Sequence, residues 1–331
     1  MMNEENLEVS IGSTILDSEL LSSYDKSAPI FHYTSPEGML GILQEKETVL
    51  WFSQYDSLND TTEGVHILKV YREVCKELLD GGKINLVFYQ AVENVEPITK
   101  AVFLSHLENL EEGKKPANIT DYCKIKESQK YVCCFSKNRD SLPMWNYYTK
   151  EGKCEGYNIG FCFWRTKHTG VQACYGKGYD FELFTVIYDD EEKKKIIRSK
   201  MEELYSFYEK TPEEKVLSRI KNALSYYLKN LGLKFKQECF QHEQEVRAIL
   251  TVPKEFAFGK DEKFKVKYRN KAGYIIPYIE VKFPVEIVSG ITVGPLLNDQ
   301  TAINNIRQFS RSRQYLFKDD DIQPSEIPIR Y

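Results

Sequence analysis

The sequence predicts an α+β fold: a single mixed, mainly antiparallel sheet with helices inserted into it, two of them forming a hairpin. Three observations lead there. Short runs rich in β-branched and aromatic residues recur along the chain, helical patterns fall between them in unequal blocks, and the regular strand-helix beat of a doubly wound sheet is missing. With 331 residues, 42% hydrophobic and 28% charged, the chain carries enough apolar material for a sizeable core.

The elements follow in order. Residues 1–28 hold six acidic residues against one lysine and read as a poorly ordered leader. Residues 29–331 read as one α+β domain with helical insertions at about 63–110 and 191–231. Ile30 to Thr34 is a short strand, and Ser35 then caps a helix with Pro36 at its first position and Met39, Leu40, Ile42 and Leu43 on its apolar side. Thr48 to Ser53 is a second strand. Val65, Leu68, Val70, Val74 and Leu78 recur at helical spacing from Glu63 to Leu79, and Gly81 and Gly82 stop that helix. A further helix is expected near 96–110. Tyr131 to Ser136 is a buried strand, and Asp140 or Ser141 caps a short helix in DSLPMWNYY. Strands follow at Gly156 to Trp164 and Phe181 to Tyr188. Helices at about 191–209 and 212–231 make the hairpin, the second opened by a capping box in TPEE, Thr211 to Glu214. Gln244 to Val252, Tyr274 to Phe283 and Val285 to Val293 are strands, and a helix over about 297–310 comes last.

Composition excludes some classes. A formal net charge of -4 gives no global basic field, which leaves only a local basic groove open for nucleic acid. No run approaches the roughly 20 apolar residues that span a bilayer, and MMNEENLEVS lacks the order of a signal peptide, so a cytoplasmic protein without a membrane partner is expected. Eight cysteines without a CxxC pair fit reduced thiols, with Cys133 and Cys134 packed in a strand. Cys239 and His242 are spaced like half of a zinc site, but no second pair matches them, and no metal is expected. Phosphate-loop, dinucleotide-fingerprint and nucleophile-elbow patterns are missing.

Chemistry concentrates in QHEQEVRAIL, Gln241 to Leu250. Alternation puts Glu243, Glu245 and Arg247 on one strand face and Val246, Ala248 and Leu250 on the other. The first face is either a solvent-exposed edge or the wall of a cleft, where an acid grips a hydroxyl or stabilises positive charge and the arginine orients it. His32 lies directly before a helix start. SQYDSLNDTTEG offers Ser53, Tyr55, Asn59, Asp60 and Glu63, which are also good turn and cap residues.

Four segments, FHYTSPEGMLGILQEKETVLWFSQYDSLNDTTEG, VCCFSKNRDSLPMWNYYTKEGKCEGYNIGFCF, FKQECFQHEQEVRAIL and IVSGITVGPLLNDQTAINNI, together resemble a largely bacterial family known as domain of unknown function 2971. The combination HYT, ND, CFS, MW-x-x-Y, E-x-E-x-R and VGP carries the resemblance. Two departures stand out: Thr61 follows ND where the family commonly has proline, and KEGKCEG lengthens the linker after MW-x-x-Y.

The opening strand and helix also resemble ADP-ribosyltransferase-like proteins. That resemblance implies a sheet split into two halves and NAD as substrate, with transfer to a macromolecular acceptor, protein or nucleic acid, or outright NAD cleavage. It implies that His32 holds the adenosine ribose and that Glu245 (or Glu243) holds the nicotinamide ribose and stabilises its developing charge. The stacking ring is Trp51, Tyr55 or Tyr148. Tyr33, Thr34 and Ser53 join the expected NAD-binding set, and Arg247 supports the acid. Asn59, Asp60, Glu63, Ser136 and Trp145 are expected on the acceptor side. A toxin or anti-phage effector is the implied setting. A catalytically silent binding module and a nuclease or phosphate-ester hydrolase are the competing expectations.

Overall fold

The computed structural model describes residues 28–57, 63–97, 128–149, 154–163, 180–253, 265–271, 273–297 and 299–329. The expected leader and the helix expected near 96–110 fall almost wholly outside these residues. The strands are β1 (Ile30–Thr34), β2 (Leu43–Gln44), β3 (Glu47–Gln54), β4 (Ser128–Ser136), β5 (Tyr157–Phe161), β6 (Asp180–Thr185), β7 (Glu245–Pro253), β8 (Lys267–Lys271), β9 (Tyr274–Phe283), β10 (Val288–Val293) and β11 (Ile322–Pro324). The α-helices are α1 (Pro36–Ile42), α2 (Glu63–Asp80), α3 (Leu86–Val92), α4 (Leu142–Tyr148), α5 (Asp190–Lys210), α6 (Glu214–Gly232) and α7 (Gln300–Ser312).

Contacts divide the chain into two compact units. Among the described residues one unit holds 63–97 and 186–241, and the other holds the rest. The two helical insertions, expected to wall the sheet, thus gather around a core of their own. Val70, Tyr71 and Val74 of α2 and Phe88 of α3 meet Met201 and Leu204 of α5 and Ile220, Leu224 and Leu228 of α6 in that core. Inside it the fully buried Lys193 ammonium is neutralised by Asp190 at 2.7 Å and touches the His66 ring nitrogen at 3.1 Å. Asp189 caps α5 by accepting from the Glu192 amide. The TPEE capping box does not form. Thr211 instead ends α5, its amide bonding the Tyr208 carbonyl, and Glu213 takes the cap position of α6 with no side-chain bond. Pro212 cannot continue the first helix, so the chain turns before the second begins.

The other unit is one 11-stranded sheet in the order β11-β10-β5-β1-β4-β3-β9-β8, with β7 on β4 and β6 on β7. The strand pairings are antiparallel apart from β10 with β11. Expected strands recur with shifted ends; β2, β8, β11 and the helix α3 were not expected. After β1, Ser35 accepts from the Gly38 amide and opens α1 as its sequence predicts, but Leu40 is 52% exposed and only Met39, Ile42 and Leu43 reach the core. That core lies on one sheet face. Ile30, Leu50, Phe52, Tyr131, Cys133, Phe135, Ile159, Val246, Ala248, Leu250, Ile279 and Val281 pack there against Ile303 and Ile306 of α7, which Asp299 caps.

The sheet opens at β4. Its Tyr131 and Val132 pair with Gln54 and Ser53 of β3, whereas its Ser136 pairs with Phe31 of β1. Between those contacts Cys133, Cys134 and Phe135 face neither strand across a ladder, while their other edge stays fully paired to β7 through Ala248, Arg247 and Val246. Two half-sheets, β8-β9-β3 and β1-β5-β10-β11, therefore diverge from one shared strand.

Close approach holds the second half-sheet to its loops. A side-chain carbon at Gly156 would press on the Thr34 carbonyl and come within 2.7 Å of the Thr149 methyl. We expect Gly156→Ala to cost about 1–3 kcal/mol through overpacking, seen as a lower denaturation midpoint, while alanine at Gly41, which meets no neighbour, leaves the midpoint within about 1 kcal/mol.

Candidate functional site

Glu243, Glu245 and Arg247 retain only 5%, 4% and 2% of their surface, so the solvent-edge alternative for this stretch is overturned. Regular alternation also fails at its start. Gln244 has φ of 45°, a left-handed conformation rare outside glycine, so β7 begins at Glu245 and Glu243 belongs to the preceding 3-10 turn, Glu238–Glu243. The kink is held by backbone and hydroxyl bonds: the Lys137 amide donates to the Gln244 carbonyl at 2.9 Å, and the Ser136 hydroxyl donates to the Glu243 carbonyl at 2.7 Å. The same hydroxyl accepts from the Asn138 amide. Ser136 is a turn brace, fully buried, rather than a group on an open acceptor side.

Arg247 grips Glu245 through both arms of its fork, Nε to Oε1 at 2.8 Å and a terminal nitrogen to Oε2 at 3.2 Å. Residues two apart on a strand project on the same side, which makes this in-strand pair possible. Register sets Cys134 opposite Arg247 and Ser136 opposite Glu245. The Cys134 thiol is held well above its usual range by burial first, and then by the Glu245 carboxylate beside it. Burial, opposed more weakly by the Arg269 charge, pushes Cys133 up to about 12. Both thiols stay protonated and pack, as their strand pattern predicts. Glu243 accepts from the Tyr148 hydroxyl at 3.3 Å, and Tyr148, at the end of α4, is 43% exposed.

Strand register sorts the other expected residues by face. Ser53 pairs with Val132, which alternates with Cys134, so Ser53 and Trp51 share the face of Arg247 and Glu245. Trp51 is 41% exposed on the rim where β3 leaves β4, and it stacks on Tyr278 at 4.5 Å. Tyr33 lies on this face too, but it is buried: its hydroxyl donates to the Asn138 carbonyl and accepts from the Ser141 amide, and its ring meets Trp145 edge-on at 4.8 Å. Trp145 is fully buried and donates its indole N–H to Asp140 at 2.7 Å. That carboxylate also accepts from the Ser325 hydroxyl and the Glu326 amide. Trp145 and Tyr33 thus hold loops together.

His32 turns the other way. It pairs with Ile159, and its ring meets Phe135 edge-on at 5.6 Å; both neighbours belong to the apolar core. His32 and Glu245 therefore lie on opposite faces of the sheet. Its Nδ1 donates to the Cys134 carbonyl at 2.9 Å, so the histidine serves the edge of β4 at the place where the sheet opens. Burial lowers its pKa, so the ring is neutral, with the Nδ1 proton fixed by an acceptor that cannot donate. Thr34, beside it, is buried under Gly38 of α1. Tyr55 opens a 3-10 turn, Tyr55–Ser57. Asn59, Asp60 and the Glu63 side chain lie outside the described residues.

One participant was missed. Arg269 of β8 donates to the Ser53 hydroxyl at 2.7 Å and lies over the rings of Trp51 and Tyr278 at 5.6 and 5.9 Å. Its signal in the sequence is the alternation KVKYRNK ahead of a turn, in which Val266 and Tyr268 are the apolar positions. Residues 144–248 match the model of a family described as "Protein of unknown function (DUF2971)", and the match runs from α4 through Glu243, Glu245 and Arg247. No curated protein and no solved structure matches the chain.

Removing one partner of the buried pair leaves the other charge uncompensated. Arg247→Met is expected to cost about 3–5 kcal/mol in chemical denaturation, and adding Glu245→Leu to recover most of it. A second expectation concerns pH. The folded pKa of His32 lies below its ordinary 6.5, so protonation favours the unfolded chain, and the stability from the neutral ring is present above 6.5 and lost as pH falls below it. Denaturation midpoints measured from pH 7.5 to 5 should show that loss, and His32→Asn, whose amide can still donate to Cys134, should flatten it.

Proposed function

We propose for this chain, whose residues 144–248 match the DUF2971 family model, an ADP-ribosyltransferase-like role: binding of NAD on the sheet face that carries Glu245, with transfer of ADP-ribose or cleavage of NAD. The observation that carries this reading is the opening of the sheet at Cys133 to Phe135, with Trp51 on its rim and the Glu245–Arg247 pair on the same face. An exposed indole offers a stacking surface for a planar ring. A buried carboxylate held by a guanidinium offers a fixed negative charge, which stabilises positive charge far better than a hydrated one.

Arg247 fixes the Glu245 carboxylate in place, and in this reading the NAD ribose lies against that fixed charge, which stabilises the positive charge that develops on the ribose as its bond to nicotinamide breaks. Nicotinamide leaves with the bonding electron pair. The acceptor, or water, bonds to the same carbon and gives up a proton. Glu243, which accepts from the Tyr148 hydroxyl, is the candidate to receive that proton. His32 takes a positioning role on β4 and no role on the ligand. A toxin or defence setting belongs to this same proposal.

The turn of His32 away from Glu245 and into the core favours a second reading, a binding module without turnover. Mass spectrometry for nicotinamide released from NAD, run beside calorimetry, separates the two. Release with loss of roughly a hundredfold or more in Glu245→Gln supports the enzyme. Binding without release assigns the silent module, and neither binding nor release overturns both.

A further inference from the structure

Arg269 is a cation that the described fold does not neutralise. Two neighbouring β8–β9 lysines have carboxylate partners: Lys267 pairs with Glu280 at 2.6 Å and Lys282 with Glu47 at 2.8 Å. Among the described residues no carboxylate lies within ion-pair distance of Arg269, which bonds only the neutral Ser53 hydroxyl. Its Nε is out of water and has no hydrogen-bond acceptor among the described residues. A half-buried guanidinium with an idle N–H is costly unless something supplies an acceptor.

Its neighbours specify what that acceptor brings with it. Trp51 and Tyr278 lie against the guanidinium, and Trp51 keeps 41% of its surface open beside them. An exposed tryptophan next to an unsatisfied arginine fork suits a ligand with a planar ring at one end and a phosphate oxygen at the other. We infer that Arg269, Ser53, Trp51 and Tyr278 form a subsite for a nucleoside 5′-phosphate, with the phosphate on Arg269 and the base on Trp51. One guanidinium and one open ring match one phosphate and one base, so the ligand is a free nucleotide or the nucleotide half of a larger small molecule. This deepens the NAD reading above by naming the residues that take its adenylate or nicotinamide-ribose phosphate. It rests on side chains separate from Glu245 and Arg247.

The test is calorimetry with adenosine monophosphate, adenosine and inorganic phosphate on the full chain, as wild type, Arg269→Gln and Trp51→Ala. Wild type is expected to prefer the monophosphate over adenosine by about tenfold or more, a preference that Arg269→Gln removes while adenosine affinity stays within about twofold. Trp51→Ala is expected to weaken adenosine itself about tenfold, and because Trp51 is largely exposed, this variant remains informative if Arg269→Gln fails to fold. Equal affinity for the monophosphate and adenosine in wild type overturns the inference, as does an unchanged preference in Arg269→Gln or unchanged adenosine affinity in Trp51→Ala. Tighter binding of a deoxyadenylate octamer than of the monophosphate overturns the free-nucleotide assignment. Arg269-dependent binding without nicotinamide release keeps this subsite and sinks the NAD enzyme. Nicotinamide release that is indifferent to Arg269→Gln does the reverse.

Discussion

Two opposite charges, two residues apart on one strand and both out of water, set the terms for the sheet around them. A buried carboxylate-guanidinium pair is tolerated only when its geometry is held and its remaining hydrogen-bonding capacity is met. The fold supplies the first condition by flanking β7 on both sides, with Cys134 of β4 and Phe184 of β6 each opposite Arg247. It supplies the second through the fork itself and the thiol of Cys134. The left-handed Gln244 then matters because it ends the strand at Glu245. A regular extension would have carried Glu243 onto the same row, beside a carboxylate already buried, and like charges so placed repel.

A second carboxylate organises the loops at that end of the sheet. Asp140 collects the indole of Trp145, the hydroxyl of Ser325 and the amide of Glu326, and so ties α4 to the segment after β11. Tyr33 reaches the same loop from β1 through the Asn138 carbonyl and the Ser141 amide. Ser136 and Trp145 therefore work on architecture, positioning strand ends and loops.

Periodicity exposed the strands whose two faces differ in polarity. β1, β3, β7 and β9 were legible because apolar and polar residues alternate in them against a one-sided core. β8 was not, because KYRNK has no apolar face to pack, and its place comes from pairing with β9. Arg269 was hidden with it. Partner exchange along β4 was equally invisible, since a ladder that changes neighbour between Val132 and Ser136 leaves no local mark on VCCFS. His32 illustrates a related limit. Alternation separates a strand's faces but does not say which one another strand's glutamate shares, and that depends on register across β4. Burial of Glu243, Glu245 and Arg247 was open for the same reason.

The chain order of the helical unit has a consequence for biosynthesis. The core of that unit joins α2 and α3 to α5 and α6, yet β4, α4, β5 and β6 are translated between them. At about 5–20 residues per second, the ribosome needs on the order of ten seconds to deliver the second pair after the first. Through that interval Val70, Val74 and Phe88 have no partner helices to cover them. β4 likewise waits for β7, since the helical unit's second segment must be made in between. The nascent chain thus carries two unfinished apolar surfaces at once, the condition under which chaperone capture and aggregation compete with folding.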